Sequence, residues 1–414
     1  MCAIAGILDL TAAPETVEAM RQTMGRRGPD DFGVDRAGNR TLLHARLTVI
    51  DPIGGRQPMK LRHDGTEYTI VYNGELYNAP ELRRELTRLG HSFEGHSDTE
   101  VLLHGYAQWG RDVLRRLNGI YAFAVRHDGR VFLARDRIGV KPLFYAEHGG
   151  GLLFASEMKT ILRYPGFRAA IDVTGAAELL LLGPGRTPGC GVFRGIRELE
   201  PGCWGIWEDG RLTLGRYWKL TDGIHEENFA DTCAHVRELV EDAIRRQLVS
   251  DVPIGCFLSG GLDSSLICSV AAEHLAGQGR RLDTFSVDYD RNREFFVPGT
   301  FQPNTDSDFL APMEEYLGAN AHHVILTAAD AVVLHHVLQE FHHGGDGGDP
   351  AFADQILGHT LDGHFLDLTA GNDGHLQGVG AELNTDHAGC KRCHFINLVS
   401  VKMENYGVYC RARL

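Results

Sequence analysis

The sequence predicts two α/β-rich domains, the first made of antiparallel sheets packed on each other and the second of a doubly wound parallel sheet. The chain has 414 residues, which is too long for one ordinary hydrophobic core. Residues 1–215 contain a succession of short apolar strands separated by turn residues, a pattern typical of packed sheets. Residues 254–276 read as a strand, a glycine-rich loop and an apolar helix, the unit from which doubly wound sheets are built.

Composition and charge argue against several classes of protein. The net charge is −14, with 55 acidic and 41 basic residues, which disfavours nucleic-acid and anionic-membrane partners. No apolar run approaches the roughly 20 residues that cross a bilayer, and the N-terminus has no secretory signal pattern. Nine cysteines, an odd number, favour reduced thiols and a cytoplasmic location over a disulfide framework.

The N-terminus carries the first candidate for chemistry. Cys2 follows the initiator methionine, and removal of that methionine would leave a free α-amine on the residue that bears the thiol. Such an amine titrates near pH ~8 and can act as the general base that activates the thiol. Residues 4–8 predict a buried strand that would hold this nucleophile in place. On these residues alone, however, a cysteine at position 2 is more simply a chance occurrence.

Several residues on or directly after predicted strands are candidates for binding or catalysis. Arg46 lies in the predicted strand 42–51, where it faces either solvent or a carboxylate that a guanidinium can grip with two hydrogen bonds. Asn73 and Gly74 are most simply a hairpin turn, but an amide beside a glycine N–H is also an oxyanion-hole arrangement. Glu75, next to them, is a candidate for binding a cationic amine.

Two charged segments follow a predicted helix at 79–90. Ser97 or Asp98 is expected to cap the next helix, and Asp98 is alternatively a second ligand for an amine. Residues 135–137 (Arg-Asp-Arg) are most simply a surface ion-pair cluster.

Six motifs of the first domain occur in one order along the chain. They are Cys2 with Ile4-Ala5-Gly6, Arg27-Gly28-Pro29-Asp30, His44-Ala45-Arg46-Leu47, Asn73-Gly74-Glu75-Leu76-Tyr77-Asn78, Ser97-Asp98-Thr99-Glu100 and residues 135–143. Together they resemble the class II glutamine amidotransferases, and the glutaminase domain of glutamine-hydrolysing asparagine synthetases in particular. The resemblance implies an α+β N-terminal nucleophile hydrolase sandwich. The sequence departs from the family at Ala3, where glycine is usual, and at Arg26, where histidine is frequent.

The resemblance also assigns roles to the polar residues. Cys2 would form a glutamyl thioester, while Asn73 and Gly74 would stabilise the oxyanion. Arg46 would hold the α-carboxylate of glutamine, and Glu75 and Asp98 would hold its α-amine.

A second chemical centre is predicted at the start of the second domain. Glycines let backbone N–H groups converge on an anion, and a helix N-terminus adds partial positive charge. The loop lacks the Gly-Lys-Ser/Thr ending of a Walker-type loop, and the plain structural interpretation is a glycine-rich turn with serine caps. It resembles the pyrophosphate-binding loop of ATP pyrophosphatases. By that resemblance the ATP-binding residues are Leu258, Ser259, Gly260, Gly261, Asp263, Ser264, Ser265 and, against adenine, Val287.

The C-terminal part matches the family poorly. We expect a glutaminase domain over 1–215, the N-terminal part of an incomplete α/β doubly wound nucleotide-binding domain over 216–330, and an unmatched tail over 331–414. A truncation or frameshift would explain the change of character. Residues 345–349 and 369–374 are weak candidates for a second pyrophosphate motif. The Cys390-to-His394 pattern of haem or zinc proteins is expected to be accidental.

The resemblance implies ATP-dependent synthesis of asparagine through β-aspartyl-AMP, with ammonia from glutamine and with Mg²⁺ on the phosphates. The expected partners are glutamine, aspartate, ATP and a second copy of the chain, with no protein metal site. The alternatives are a related amidating or cyclising ligase, a glutaminase without a working synthetase, and a non-catalytic protein.

Overall fold

The computed structural model describes residues 1–182, 185–300, 303–327 and, for the backbone alone, 394–396. The described chain forms two compact units. The first lies within Met1–Val252, and the second begins at Pro253.

Two antiparallel sheets form the first unit. Their strands are β1 (Ala3–Leu8), β2 (Asp31–Ala37), β3 (Arg40–Arg46), β4 (Met59–His63), β5 (Thr66–Leu76), β6 (Gly119–His127), β7 (Arg130–Arg135), β8 (Phe144–His148), β9 (Gly151–Ala155), β10 (Arg197–Glu198), β11 (Cys203–Glu208) and β12 (Arg211–Arg216). One sheet has the order β10-β8-β9-β1-β3-β2, and the other β12-β11-β7-β6-β5-β4. This is the predicted sandwich of antiparallel sheets.

Helices flank the sheets of this unit. They are α1 (Pro14–Met24), α2 (Ala79–Arg88), α3 (Asp98–Trp109), α4 (Met158–Ile161), α5 (Val173–Leu181) and α6 (Phe229–Arg246), with a 3-10 helix at Gly110–Arg115. Helix α3 starts where the sequence predicts, because the Ser97 hydroxyl accepts a hydrogen bond from the Glu100 N–H at 3.2 Å and caps the first turn.

The core between the two sheets is apolar and buried. Strand β1 is buried along its whole length, since it lies in the middle of its sheet between β9 and β3. Its side chains Ile4 and Leu8 pack against Val71 of β5 and Phe154 of β9. Each such side chain contributes roughly 1.5–3 kcal/mol when fully buried. The start of β1, and Cys2 just before it, is therefore fixed by packing on both sides.

Three of the simpler structural interpretations are wrong. Asn73 and Gly74 make no turn, because β5 continues through them and pairs with β6 up to Leu76. Arg46 is buried at the end of β3 and does not point to solvent. Arg135 and Asp136 are also buried, since each satisfies several backbone groups of the neighbouring loops.

The second unit contains a parallel sheet, as predicted. Its elements are β13 (Ile254–Phe257), α7 (Leu262–Ala276), β14 (Asp283–Tyr289), α8 (Asn292–Phe295), α9 (Ser307–Leu317), β15 (Asn320–Leu326) and β16 (His394–Ile396). The strand order is β15-β14-β13-β16, and every pair is parallel. The candidate motifs at 345–349 and 369–374, and the cysteines at 390 and 393, lie outside the described residues. No helix in the described part is long and apolar enough to cross a bilayer.

The buried carboxylate of Asp136 gives the first prediction. Its Oδ1 accepts from the Val140 N–H at 2.9 Å, and its Oδ2 accepts from the Lys141 N–H at 2.9 Å. Asp136→Asn replaces one oxygen by a donor, which leaves buried N–H groups unpaired. We expect a loss of about 2–4 kcal/mol in the free energy of unfolding, measured by urea denaturation. The exposed Asp64→Asn is the matched control and is expected to change little, because asparagine tolerates the positive φ at that position.

Candidate active site

The thiol of Cys2 lies at the edge of the sandwich where β1 begins and β3 ends. Its Sγ accepts a hydrogen bond from the Leu47 N–H at 3.4 Å, and the Arg27 Nε donates to the Cys2 carbonyl at 3.1 Å. Burial raises the pKa of the Cys2 thiol. A thiol in this environment needs a neighbouring base before it can act as a nucleophile.

Two amines with lowered pKa values lie near this thiol. Burial lowers the pKa of the Met1 α-amine to about 6, and burial also lowers the pKa of Lys141. The Lys141 Nζ lies 3.3 Å from the Met1 Sδ. The charge of Glu75 acts on both amines in the opposite direction. Burial at this position thus favours the neutral form of an α-amine, which can accept a proton.

The amide of Asn73 is a donor without a partner. The residue is buried in β5, and its Nδ2 has no hydrogen-bond acceptor among the described residues. An unpaired buried donor costs about 1–3 kcal/mol, so its persistence points to a ligand. The neighbouring Gly74 fits only as glycine, because a Cβ there would collide with the Ile120 carbonyl oxygen of β6.

Arg46 holds its guanidinium in a ring of carbonyl groups. Its N–H groups donate to the carbonyl oxygens of Pro52 (3.0 Å), Ile50 (3.1 Å) and Asp51 (2.6 Å). These bonds use three of the five N–H donors of the guanidinium. These contacts also bind the loop after β3 to the arginine.

Asp98 and Glu75 form an acidic pair in which each carboxylate feels the charge of the other. The Oδ2 of Asp98 accepts from the Tyr72 hydroxyl at 2.9 Å and from the Leu76 N–H at 3.0 Å. Burial raises the pKa of Asp98 to about 6, and the charge of Glu75 acts in the same direction. A buried carboxylate and a half-buried one that repel each other provide a favourable position for a bound cation.

Sequence reasoning missed several residues of this site. The Arg27 side chain donates to the Cys2 carbonyl, the Leu47 backbone N–H donates to the Cys2 Sγ, and Lys141 lies beside the N-terminus. All three stand in the quoted motifs, but nothing local in the sequence shows that they meet. Ala3 takes an ordinary strand conformation opposite Ala45 in β3, so the family's glycine is not needed here for a positive φ.

The glycine-rich loop of the second unit is arranged by its own side chains. The Ser264 hydroxyl accepts from the Ser259 N–H at 3.2 Å, and the two hydroxyls lie 3.1 Å apart. Gly260 has φ of +80°, and a Cβ there would lie 2.7 Å from the Asp306 carbonyl oxygen, so only glycine fits. Gly261 caps α7.

The other predicted ATP-binding residues surround this loop in the second unit. Asp263 and Ser265 lie in the first turn of α7, and the buried Leu258 accepts a hydrogen bond from the Ser286 hydroxyl at 2.8 Å. Val287 is 48% exposed on β14, the parallel neighbour of β13. The loop and Val287 thus lie at neighbouring strands of one sheet.

An antiparallel sandwich with a cysteine nucleophile at the start of a central strand defines the N-terminal nucleophile hydrolase class. Residues 1–218 match the model of the glutamine amidotransferase domain, and residues 235–353 match the model of asparagine synthase. The chain belongs to the glutamine amidotransferase family, which confirms the class predicted from the motifs.

Relatives with curated names extend the similarity beyond the first unit. "Asparagine synthetase [glutamine-hydrolyzing] 3" of Bacillus subtilis is 46% identical over 80% of this chain and 55% of its own length. "Asparagine synthetase [glutamine-hydrolyzing] 1" of the same organism is 32% identical over 70% and 46%. A putative asparagine synthetase of Methanocaldococcus jannaschii is 29% identical over 92% and 81%. The chain thus spans about half the length of the two Bacillus relatives.

The raised pKa of Asp98 predicts a pH-dependent stability difference. The folded protein holds the proton of Asp98 more tightly than the unfolded chain, so Asp98 stabilises the fold at low pH and this contribution is lost as pH rises from about 4 to 6. Asparagine does not ionise, so the Asp98→Asn protein does not lose this stability as the pH rises. Its free energy of unfolding is expected to exceed that of the natural protein by about 3 kcal/mol above pH 7, with the difference vanishing towards pH 4.

The measurement is urea denaturation across this pH range, without ligand. Asp112→Asn, on the surface of the 3-10 helix, serves as the control. A difference that stays constant with pH would contradict the assigned pKa.

Proposed function

We propose that the first unit hydrolyses glutamine to glutamate and ammonia. The observation that carries the proposal is the buried amide of Asn73, which has no acceptor within the described part of the chain and lies on the strand that also bears Gly74 and Glu75. Donors aimed at a developing oxyanion are costly in the free protein and become useful only when the transition state forms.

In the proposed reaction, removal of Met1 leaves the α-amine on Cys2. That amine takes the thiol proton, and Sγ attacks the carboxamide carbon of glutamine. Asn73 and Gly74 donate to the oxyanion of the tetrahedral intermediate. The proton then passes to the leaving nitrogen, ammonia departs, and water hydrolyses the thioester to glutamate and the free thiol.

The charges of the site suit an α-amino acid. The buried positive charge of Arg46 matches an α-carboxylate. Glu75 and Asp98 match an α-ammonium group, and a cation between them would lower the pKa of Asp98 again. The substrate therefore relieves the repulsion that burial creates in the free site.

We infer that the second unit binds ATP and forms an adenylate on the side-chain carboxylate of aspartate, which ammonia converts to asparagine. The relatives are named glutamine-hydrolysing asparagine synthetases, and the loop 258–265 presents hydroxyl and N–H donors at a helix N-terminus. Mg²⁺ would bind together with the phosphates and neutralise their charge. Asp263 is the carboxylate that residues 258–265 offer to it. We further propose domain limits at 1–215 and 216–330, a cytoplasmic location and a homodimer.

Removal of the Asn73 amide tests the glutaminase. Asn73→Ala is expected to lower kcat for glutamate release about 10²–10³-fold, because one oxyanion donor is lost, while KM changes little. Asn118→Ala, an exposed asparagine before β6, is the matched control. Equal kcat values for Asn73→Ala and the natural protein would contradict the oxyanion role.

A paired assay separates the candidate functions. Glutamate release from glutamine and pyrophosphate release from ATP with aspartate are followed on protein whose N-terminus is confirmed as Cys2. We expect both activities, and we expect Gly260→Ala to abolish pyrophosphate release alone, since its Cβ would displace the loop. Glutamate without pyrophosphate would indicate a glutaminase alone, pyrophosphate with another carboxylate would indicate a related ligase, and neither product would indicate a non-catalytic protein.

A further inference from the structure

The loop that surrounds the Arg46 guanidinium has a support of its own. Three successive carbonyl groups of this loop, those of Ile50, Asp51 and Pro52, accept from the arginine. The position of the guanidinium therefore depends on the path of the loop. The contacts that hold Asp51 in place therefore also hold the Arg46 guanidinium, the group proposed to bind the substrate carboxylate.

Asp51 is fixed through both of its carboxylate oxygens. Oδ1 accepts from the Gly54 N–H at 2.7 Å, and Oδ2 accepts from the His96 N–H at 2.7 Å. The side chain is buried, and the backbone of Asp51 has φ of +48°, an uncommon conformation for a residue with a Cβ. A Cβ on Gly54 or on Gly95 would collide with the Asp51 carboxylate, so the two surrounding backbones approach it closely.

Asp251 also contacts Asp51 and His96. Its Oδ2 accepts from the Asp51 N–H at 2.7 Å and lies 2.7 Å from the His96 Nε2. Its own N–H donates to the Val49 carbonyl at 3.1 Å. The carboxylates of Asp51 and Asp251 thus share one imidazole, whose Nδ1 lies 3.4 Å from the Asp51 Oδ2. We call Asp51, His96 and Asp251 the clasp.

We propose that the clasp is a positioning device for Arg46, so that glutamine affinity depends on Asp251, two residues before the second unit begins. The proposal rests on the glutamine-binding role of Arg46 given above. Asp51 links the other two residues of the clasp to Arg46. Its N–H binds Asp251 and its carboxylate binds His96, while its carbonyl binds the guanidinium. His96 and Asp251 touch no substrate and act through Asp51.

The charges around His96 give the clasp a pH dependence. The hydrogen bond to Asp251, with the charges of Asp51 and Asp251, raises the pKa of His96, and the charge of Arg83 on α2 opposes this. Arg83 also donates to the Gly95 carbonyl at 2.9 Å, next to His96. The imidazolium bridges the two carboxylates, and this bridge weakens as the pH rises through the raised pKa.

The test is steady-state glutamate release by the full chain with His96→Gln, Asp251→Asn and Asp251→Ala. We expect KM for glutamine to rise about 5–20-fold in His96→Gln and Asp251→Ala, less in Asp251→Asn, with kcat within twofold. Asp251→Asn keeps an oxygen that can accept from the Asp51 N–H, which is why its effect is smaller. The matched control is His235→Gln, which removes a surface histidine paired with Glu227 at 3.0 Å and is expected to change neither constant.

The pH profile distinguishes positioning from general destabilisation. In the natural protein, KM is expected to rise as the pH passes through the raised pKa of His96 and the imidazole loses its proton, and His96→Gln should lack this component. The ionisation of Asp98 has the opposite effect on amine binding and is the same in both proteins. Unchanged KM and pH profile in the clasp variants, with an active natural protein, would overturn the clasp alone. A natural protein that neither hydrolyses nor binds glutamine would overturn the proposed function, and the clasp with it.

Discussion

A hydrogen bond between the two sheets sets the register on which the first site depends. The Nε2 of His44, on β3, lies 3.1 Å from the Tyr72 carbonyl of β5, and burial lowers the pKa of His44 to about 3. A neutral imidazole is therefore kept in an apolar core, with its polar atom paired. Side chains alternate along a strand, so Arg46 shares the face of His44. Asn73 follows Tyr72 directly, and the cross-sheet contact thereby brings the arginine and the partnerless amide to the same end of the sandwich.

The same burial explains why the free site is electrostatically unfavourable. Asp98 and Lys141 each have a pKa shifted towards the neutral form, and the Asn73 amide lacks an acceptor among the described residues. All three side chains are buried, so water solvates them poorly. In the proposed reaction, a zwitterionic substrate with a polarisable carbonyl would supply the missing partners together. The site is thus organised before binding, and its cost is met by the packing of strands such as β1.

The sequence predicts what depends on short-range patterns. Strands such as β1, the cap at Ser97 and the glycine-rich loop were predictable, because apolar runs and turn chemistry act within a few residues. The turn interpretation of Asn73 and Gly74 is wrong, since sheet pairing with β6 outweighs their local turn preference. Asp136 looked like a surface charge because its partners, such as the Tyr121 N–H, lie beyond any local window. For Arg46 and Asp98 the local patterns leave two interpretations each, and the resemblance to a family favours the substrate-binding one.

The two ligand-facing loops differ in the range of the contacts that hold them. In the second unit, Ser259 and Ser264 are five residues apart, so one short segment carries its own support. In the first unit, the loop around Asp51 is held by His96, 45 residues away, and by Asp251, 200 residues away. A loop of the first kind keeps its geometry wherever its strand and helix form. The geometry of a loop of the second kind depends on distant parts of the chain. A change far from the thiol can therefore alter the position of Arg46.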